Sequence, residues 1–250
     1  MIIPLINEHI PFNIHKTKNP DFDLLPGITV FVGCNGYGKS STIEEIVSYM
    51  RDNKMPHLYY DATVHDMDSV TDAQTLAYCF QASEGERVSA IFSEFIEAIR
   101  KMKSKCMETK SPLILLIDGI DSGLSIDMVI EVRKLLCTIT DDCLESGVIP
   151  YICITTNSYE LCEVSEYFRI NKYIGDRDMQ RTLTAKYFRC YDPYDFTPLE
   201  FDKYEKYRKY IMKTYETKAK RTAAYIEEIN QAGRSRAHLG KSRMKGNGKE

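Results

Sequence analysis

No two of the eight cysteines, at positions 34, 79, 106, 137, 143, 153, 162 and 190, are spaced Cys-x-x-Cys. Several lie inside apolar runs, as Cys153 does in "YICIT". This usage excludes a zinc site and a disulfide framework, and it points to buried thiols in a reducing cytoplasm. No strongly apolar run is longer than "LILLI" at 113–117, far short of the roughly 20 residues of a membrane span. No membrane partner is expected. The opening "MIIPLINEHIPF" has neither a basic stretch nor a small-residue cleavage site, so export is not expected either. Internal repeats and long low-complexity segments are also missing. A compact fold of 250 residues buries roughly 75% of its unfolded surface and needs no covalent staple.

The net charge of −3 is small but unevenly spread. Residues 201–250 carry 14 Lys/Arg against 6 Asp/Glu, a net of +8, and the rest of the chain carries −11. A basic end on an acidic body has two readings. One is a solvated helix face followed by a tail; the other is a patch that meets DNA, RNA or another polyanion.

Along the chain, residues 1–20 read as short antiparallel edge strands with turns at Pro11 and Pro20. The runs "ITVFVG" (28–33), "PLILLIDG" (112–119) and "VIPYICITTN" (148–157) read as buried strands, and "HLYYDAT" (57–63) as a further one. Helical spacing appears at 40–52, 85–103 and 126–139; Val88, Ile91, Phe92, Phe95, Ile96 and Ile99 share one face of the second. Strand and helix in alternation imply an α/β fold with a mostly parallel central sheet flanked by helices. The spacing predicts a body over 1–195, a C-terminal helix over 196–230, and a flexible basic tail over 231–250. Phe201, Tyr204, Tyr207, Ile211 and Tyr215 are the expected docking stripe of that helix. Lys203, Lys206, Arg208, Lys209 and Lys213 project outward or flank it.

"GCNGYGKSS" (33–41) joins the first buried strand to the first helix and fits G-x-x-x-x-G-K-[ST]. Gly33, Gly36 and Gly38 let the backbone curl so that successive N–H groups approach phosphate oxygens. The helix N-terminus adds its positive end. Lys39 is the cation for the β- and γ-phosphates, and Ser40 is a Mg²⁺ ligand. "LILLID" ends a second strand in an acid, Asp118, which reaches the same Mg²⁺. ATP and Mg²⁺ are therefore the expected ligands of a P-loop NTPase.

The sequence resembles ABC-type ATPases of the SMC/RecF/RecN-like branch over about residues 25–165. "GCNGYGKSS" is similar to that branch's P-loop, with Asn35 and Ser41 at matching positions. "LLIDGIDSGLS" (115–125) is similar to its acid strand and following loop, "ASEGER" (82–87) to its signature, and "ITTNSYEL" (154–161) to its switch segment. The resemblance implies an ATP-dependent homodimer in which Ser83, Gly85 and Glu86 of one copy close on the phosphate held by the other. It implies a nucleic-acid task, other protein partners being open, and makes Asn157 the switch residue. A long coiled-coil arm is absent, because no heptad run separates Ser40 from Ser83.

The family pattern has Glu after the strand acid, where this chain has Gly119, and often His at the switch, where it has Asn157. Slow hydrolysis follows, and Gly119→Glu is expected to raise it. Asp121 is a neighbouring acid; Gln74 and Gln81 are candidates for the Mg²⁺-sensing glutamine. Two other classes stay open: an ATP-gated switch with little turnover, and a P-loop kinase. The kinase lacks an arginine-bearing lid, since 86–104 holds only Arg87 and Arg100.

Overall fold

The structure, a computed structural model, describes residues 1–3, 22–61, 84–163, 167–173, 180–186 and 188–246. Of 84–94, 167–173, 180–186 and 231–246 it describes the backbone path. β1 (Ile2–Ile3) pairs antiparallel with β2 (Phe22–Asp23), as the sequence predicts for the N-terminal strands; the turns expected at Pro11 and Pro20 lie outside the described residues. Then come β3 (Gly27–Val32), α1 (Lys39–Asp52), β4 (Leu58–Asp61), α2 (Glu84–Thr109), β5 (Leu113–Asp118), α3 (Ile126–Glu145) and β6 (Pro150–Thr156). After a single helical turn, Tyr159–Leu161, follow β7 (Tyr167–Tyr173) and β8 (Gln180–Lys186), an antiparallel pair of their own. β9 (Phe188–Tyr191), β10 (Pro198–Leu199) and the long α4 (Tyr204–Gly246) end the chain.

The central sheet runs β10-β9-β3-β6-β5-β4. Only β10 is antiparallel to its neighbour. Strands buried on both faces read as near-continuous apolar runs, which is why these runs lack polar alternation. Ile28, Val30, Val32, Leu113, Leu115 and Ile117 turn to one face, where Phe95 and Ile99 of α2, Val129 and Leu136 of α3 and Tyr207 of α4 pack. Phe31, Ile114 and Leu116 turn to the other, against Ile43, Ile46 and Met50 of α1. The chain is thus an α/β P-loop fold with helices on both sides of a mostly parallel sheet.

β6 lies between β3 and β5 in this order. The C-terminal ends of three adjacent parallel strands therefore open side by side. They carry the glycine loop, Asn157 and Asp118.

α4 departs from the expected helix in two ways. It runs on to Gly246, past residue 230 where the sequence predicts its end; Ala232, Arg234, Arg236, Ala237 and Leu239 are good helix formers that offset the nearby glycines. Its docking face is also shifted. Tyr207 and Thr214 are buried, and Tyr210, Ile211, Lys218 and Arg221 are partly so, whereas Tyr204 and Tyr215 are half-exposed. The expected five-residue stripe is spread too widely for a helical face, and the true contact face follows the 3.6-residue period through 207, 210/211, 214, 218 and 221.

Seven cysteines are described and none is in a disulfide. Among the described residues no helix is long and apolar enough to cross a membrane.

Candidate nucleotide site

The loop from Gly33 to Lys39 is built around positions that tolerate no side chain. Gly36 and Gly38 have φ of +72° and +110°, in the left-handed region that glycine adopts freely. A Cβ at Gly33 would stand 2.6 Å from the Tyr37 ring. α1 begins with Gly38 as its N-cap; no side chain caps it, and its first turn holds no acid. Its N-terminal N–H groups and positive end are thus left for an anion.

Lys39 is buried, at 8% exposure. Its Nζ donates to Gly33 O at 2.8 Å, Cys34 O at 3.1 Å and Asn157 Oδ1 at 2.7 Å. Burial lowers its pKa, and the nearby Asp121, Cys34 and Asp118 pull it back up. Asn157, just past β6, also donates through Nδ2 to Asn35 Oδ1 at 2.6 Å. Its backbone N–H donates to Asp121 Oδ2 at 2.7 Å. Asp118, at 2% exposure, accepts through Oδ1 from the Thr155 hydroxyl, which in turn accepts from Gly119 N at 2.7 Å.

These groups line one cavity of about 680 Å³. The structure brings together Asn35, Gly36, Gly38, Lys39, Ser40, Ser41, Asp118 and Asn157 there, with Asp121 and Gly119 beside them. Gly33 contributes its carbonyl to Lys39 from just beneath. Gly85 and Glu86 stand in the first turn of α2, described as backbone only, and Ser83, Gln74 and Gln81 lie outside the described residues. The cradle fits a polyphosphate: glycines where a Cβ would intrude, an open helix end, one buried cation. It fits Mg²⁺ as well. That ion keeps most of its shell as water and phosphate and takes one or two protein oxygens, here those of Ser40 and Asp118. Among the described residues no cluster of His, Cys, Asp and Glu would hold a metal by itself.

The other wall comes from parts of the chain that carry no motif: Pro193 and Tyr194 after β9, and Lys218, Arg221 and Thr222 of α4. Thr214 Oγ1 accepts from Cys34 N at 3.1 Å, and Lys218 Nζ donates to Asn35 O at 2.8 Å. A Cβ on Gly36 would lie 2.9 Å from Lys218 Nζ. The Tyr207 hydroxyl bonds Asn157 O, and the Tyr210 hydroxyl bonds Val32 O at 3.0 Å. The one sequence signal for this wall was the apolar and basic periodicity of α4, which marks a packed helix but not what it packs against.

The model of the family "AAA: ATPase family associated with various cellular activities (AAA)" matches residues 29–173, more than half of the chain. The chain belongs to the AAA ATPase family. The matched segment of this AAA protein spans β3 to β7 and so holds the glycine loop, Asp118 and Asn157, while α4 lies beyond it. AAA is a P-loop clade other than the ABC-type ATPases, and the SMC/RecF-like resemblance is not carried by the match. The comparisons with curated proteins and with solved structures give no match.

Proposed function

We propose that the chain binds ATP with Mg²⁺ in this cavity and hydrolyses it slowly, with Asp121 supplying the carboxylate that positions water. The supporting observation is the convergence of Lys39, Asp118, Asp121 and Asn157 on one cavity at the ends of adjacent strands. Lys39 moves from Asn157 Oδ1 to the β- and γ-phosphates, exchanging a neutral acceptor for a charged one. The Asn157 amide is then released to orient a water or phosphate oxygen. Gly119 has no side chain with which to accept a proton, whereas Asp121 reaches the same region and is fixed by the Asn157 N–H. Ser40 and Asp118 would hold Mg²⁺, which would supply charge neutralisation for phosphoryl transfer.

The SMC/RecF-like resemblance adds a further reading: ATP closes two copies, with Ser83, Gly85 and Glu86 of each on the phosphate of the other. It also favours a nucleic-acid task. In support, Lys203, Lys206, Arg208, Lys209 and Lys213 are exposed on and beside α4. A reducing cytoplasm suits a chain in which none of the seven described cysteines is in a disulfide. An ATP-gated switch with little turnover is the second reading, favoured by Gly119.

Calorimetry with ATP and phosphate release with and without Mg²⁺ test the proposal. Binding in the low micromolar range with turnover well below the common ~10 s⁻¹ is the expected result. No ATP binding sinks it, and binding without any release leaves the switch.

A further inference from the structure

The cavity lining is of two chemical kinds. One is the loop backbone, Lys39 and the acids. The other is an aromatic–guanidinium group: Arg221 lies against Tyr194 and against Tyr37 of the glycine loop, its guanidinium carbon 3.7 Å from the centroid of the Tyr194 ring and 5.1 Å from that of Tyr37. Arg221, Tyr194 and Tyr37 all line the cavity.

This group is held in place by a network that the phosphate chemistry does not require. Asp192, 8% exposed, accepts from Tyr194 N at 2.8 Å through Oδ1. Through Oδ2 it accepts from the Tyr37 hydroxyl at 3.2 Å and the Tyr210 hydroxyl at 2.8 Å. Pro193 O accepts from Thr42 Oγ1 of α1 at 3.0 Å. One buried carboxylate thus ties the glycine loop, the turn after β9 and α4 together; it holds Tyr37 and Tyr210 by their hydroxyls and Tyr194 by its backbone N–H, while the Tyr194 ring lies against Arg221. Groups held this way lose little entropy on binding.

We propose that Tyr194 and Arg221 form the platform on which the base of the nucleotide stacks. This rests on the nucleotide reading of the glycine loop. With the phosphates fixed by Gly36–Ser40, the nucleoside extends past Ser41 to the wall made by Tyr194 and Arg221. A flat guanidinium over an aromatic ring offers a π-face, and base stacking on such a face reads ring area, not hydrogen-bonding edge. The platform therefore favours purine over pyrimidine nucleotides and discriminates weakly between adenine and guanine.

The chain has no tryptophan, so Tyr194→Trp places a single indole in the full-length protein. Its fluorescence is expected to be quenched by ATP and GTP, less by UTP, and left unchanged by inorganic tripolyphosphate, which still displaces ATP. Tyr194→Ala and Arg221→Ala are expected to weaken ATP binding by about tenfold to a hundredfold with tripolyphosphate affinity unchanged, while Tyr194→Phe keeps wild-type ATP affinity. Equal loss of ATP and tripolyphosphate would make these side chains structural and overturn the proposal. So would a wild type that binds the two ligands equally. Binding of tripolyphosphate but not ATP also sinks the platform while keeping the loop as a phosphate site. Binding of neither removes the nucleotide reading itself.

Discussion

The backbone N–H of Cys34, inside the glycine loop, donates to the hydroxyl of Thr214, 180 residues away, at 3.1 Å. The C-terminal helix is thus hydrogen-bonded to the glycine loop, although no motif in it announces the contact. Thr214 is 1% exposed, so its removal leaves a buried donor unsatisfied. Thr214→Val is expected to cost about 1–3 kcal/mol of stability in urea unfolding. Thr214→Ser, which keeps the acceptor, recovers most of it.

Lys39→Ala is expected to leave the fold intact and take ATP binding below the range of calorimetry. Lys39 is the buried cation of the cradle, and its three present acceptors are two carbonyls and an amide that water can serve. A circular dichroism melt checks the fold. Unchanged ATP affinity would refute the role.

Asp121→Asn keeps an acceptor for the Asn157 N–H but removes the charge. The expected outcome is a fall in kcat of about 10²–10³ with little change in ATP affinity. Gly119→Glu is expected to raise turnover, but Gly119 has φ of +65°. A side chain there costs about 1–2 kcal/mol, so the gain in rate comes with a lower Tm. Phosphate-release kinetics and thermal melts on both variants decide this.

Glu45 of α1 has a buried Oε1 with no hydrogen-bond partner among the described residues, and burial pushes its carboxyl from 4.5 up to about 7. Between those values the folded chain holds a proton that the unfolded chain has released. Stability therefore falls as pH rises through that window. Glu45→Gln is expected to raise the Tm at pH 8 and to flatten the decline between pH 5 and pH 8. An identical decline in both proteins would assign it to other groups.

Deleting residues 231–250 is expected to weaken nucleic-acid binding, and weaken it more at low salt than at high, while ATP affinity stays the same. Those residues add Arg234, Arg236, Lys241, Arg243, Lys245 and Lys249 to the basic end, and phosphate neutralisation carries a steep salt dependence. Titration of labelled duplex and single-stranded DNA at two salt concentrations checks it; equal affinities leave that end as solvated chain.

The sequence by itself determined the sheet and the phosphate end of the site. Both are local: a strand buried on two faces reads as a near-continuous apolar run, as "LILLI" does, and a loop that wraps a phosphate needs glycines, Lys39 and Ser40 within a few residues. The order of strands, and with it the meeting of Asn157, Asp118 and Lys39, followed from the α/β alternation only in outline. Tertiary structure alone placed β6 between β3 and β5. It alone moved the docking face of α4 from Tyr204 and Tyr215 to Tyr210, Thr214, Lys218 and Arg221. It also set Asp192 between Tyr37 and Tyr210. Those contacts join residues far apart in the chain through side-chain packing and single hydrogen bonds, and such pairings leave no period and no spacing for a sequence to display.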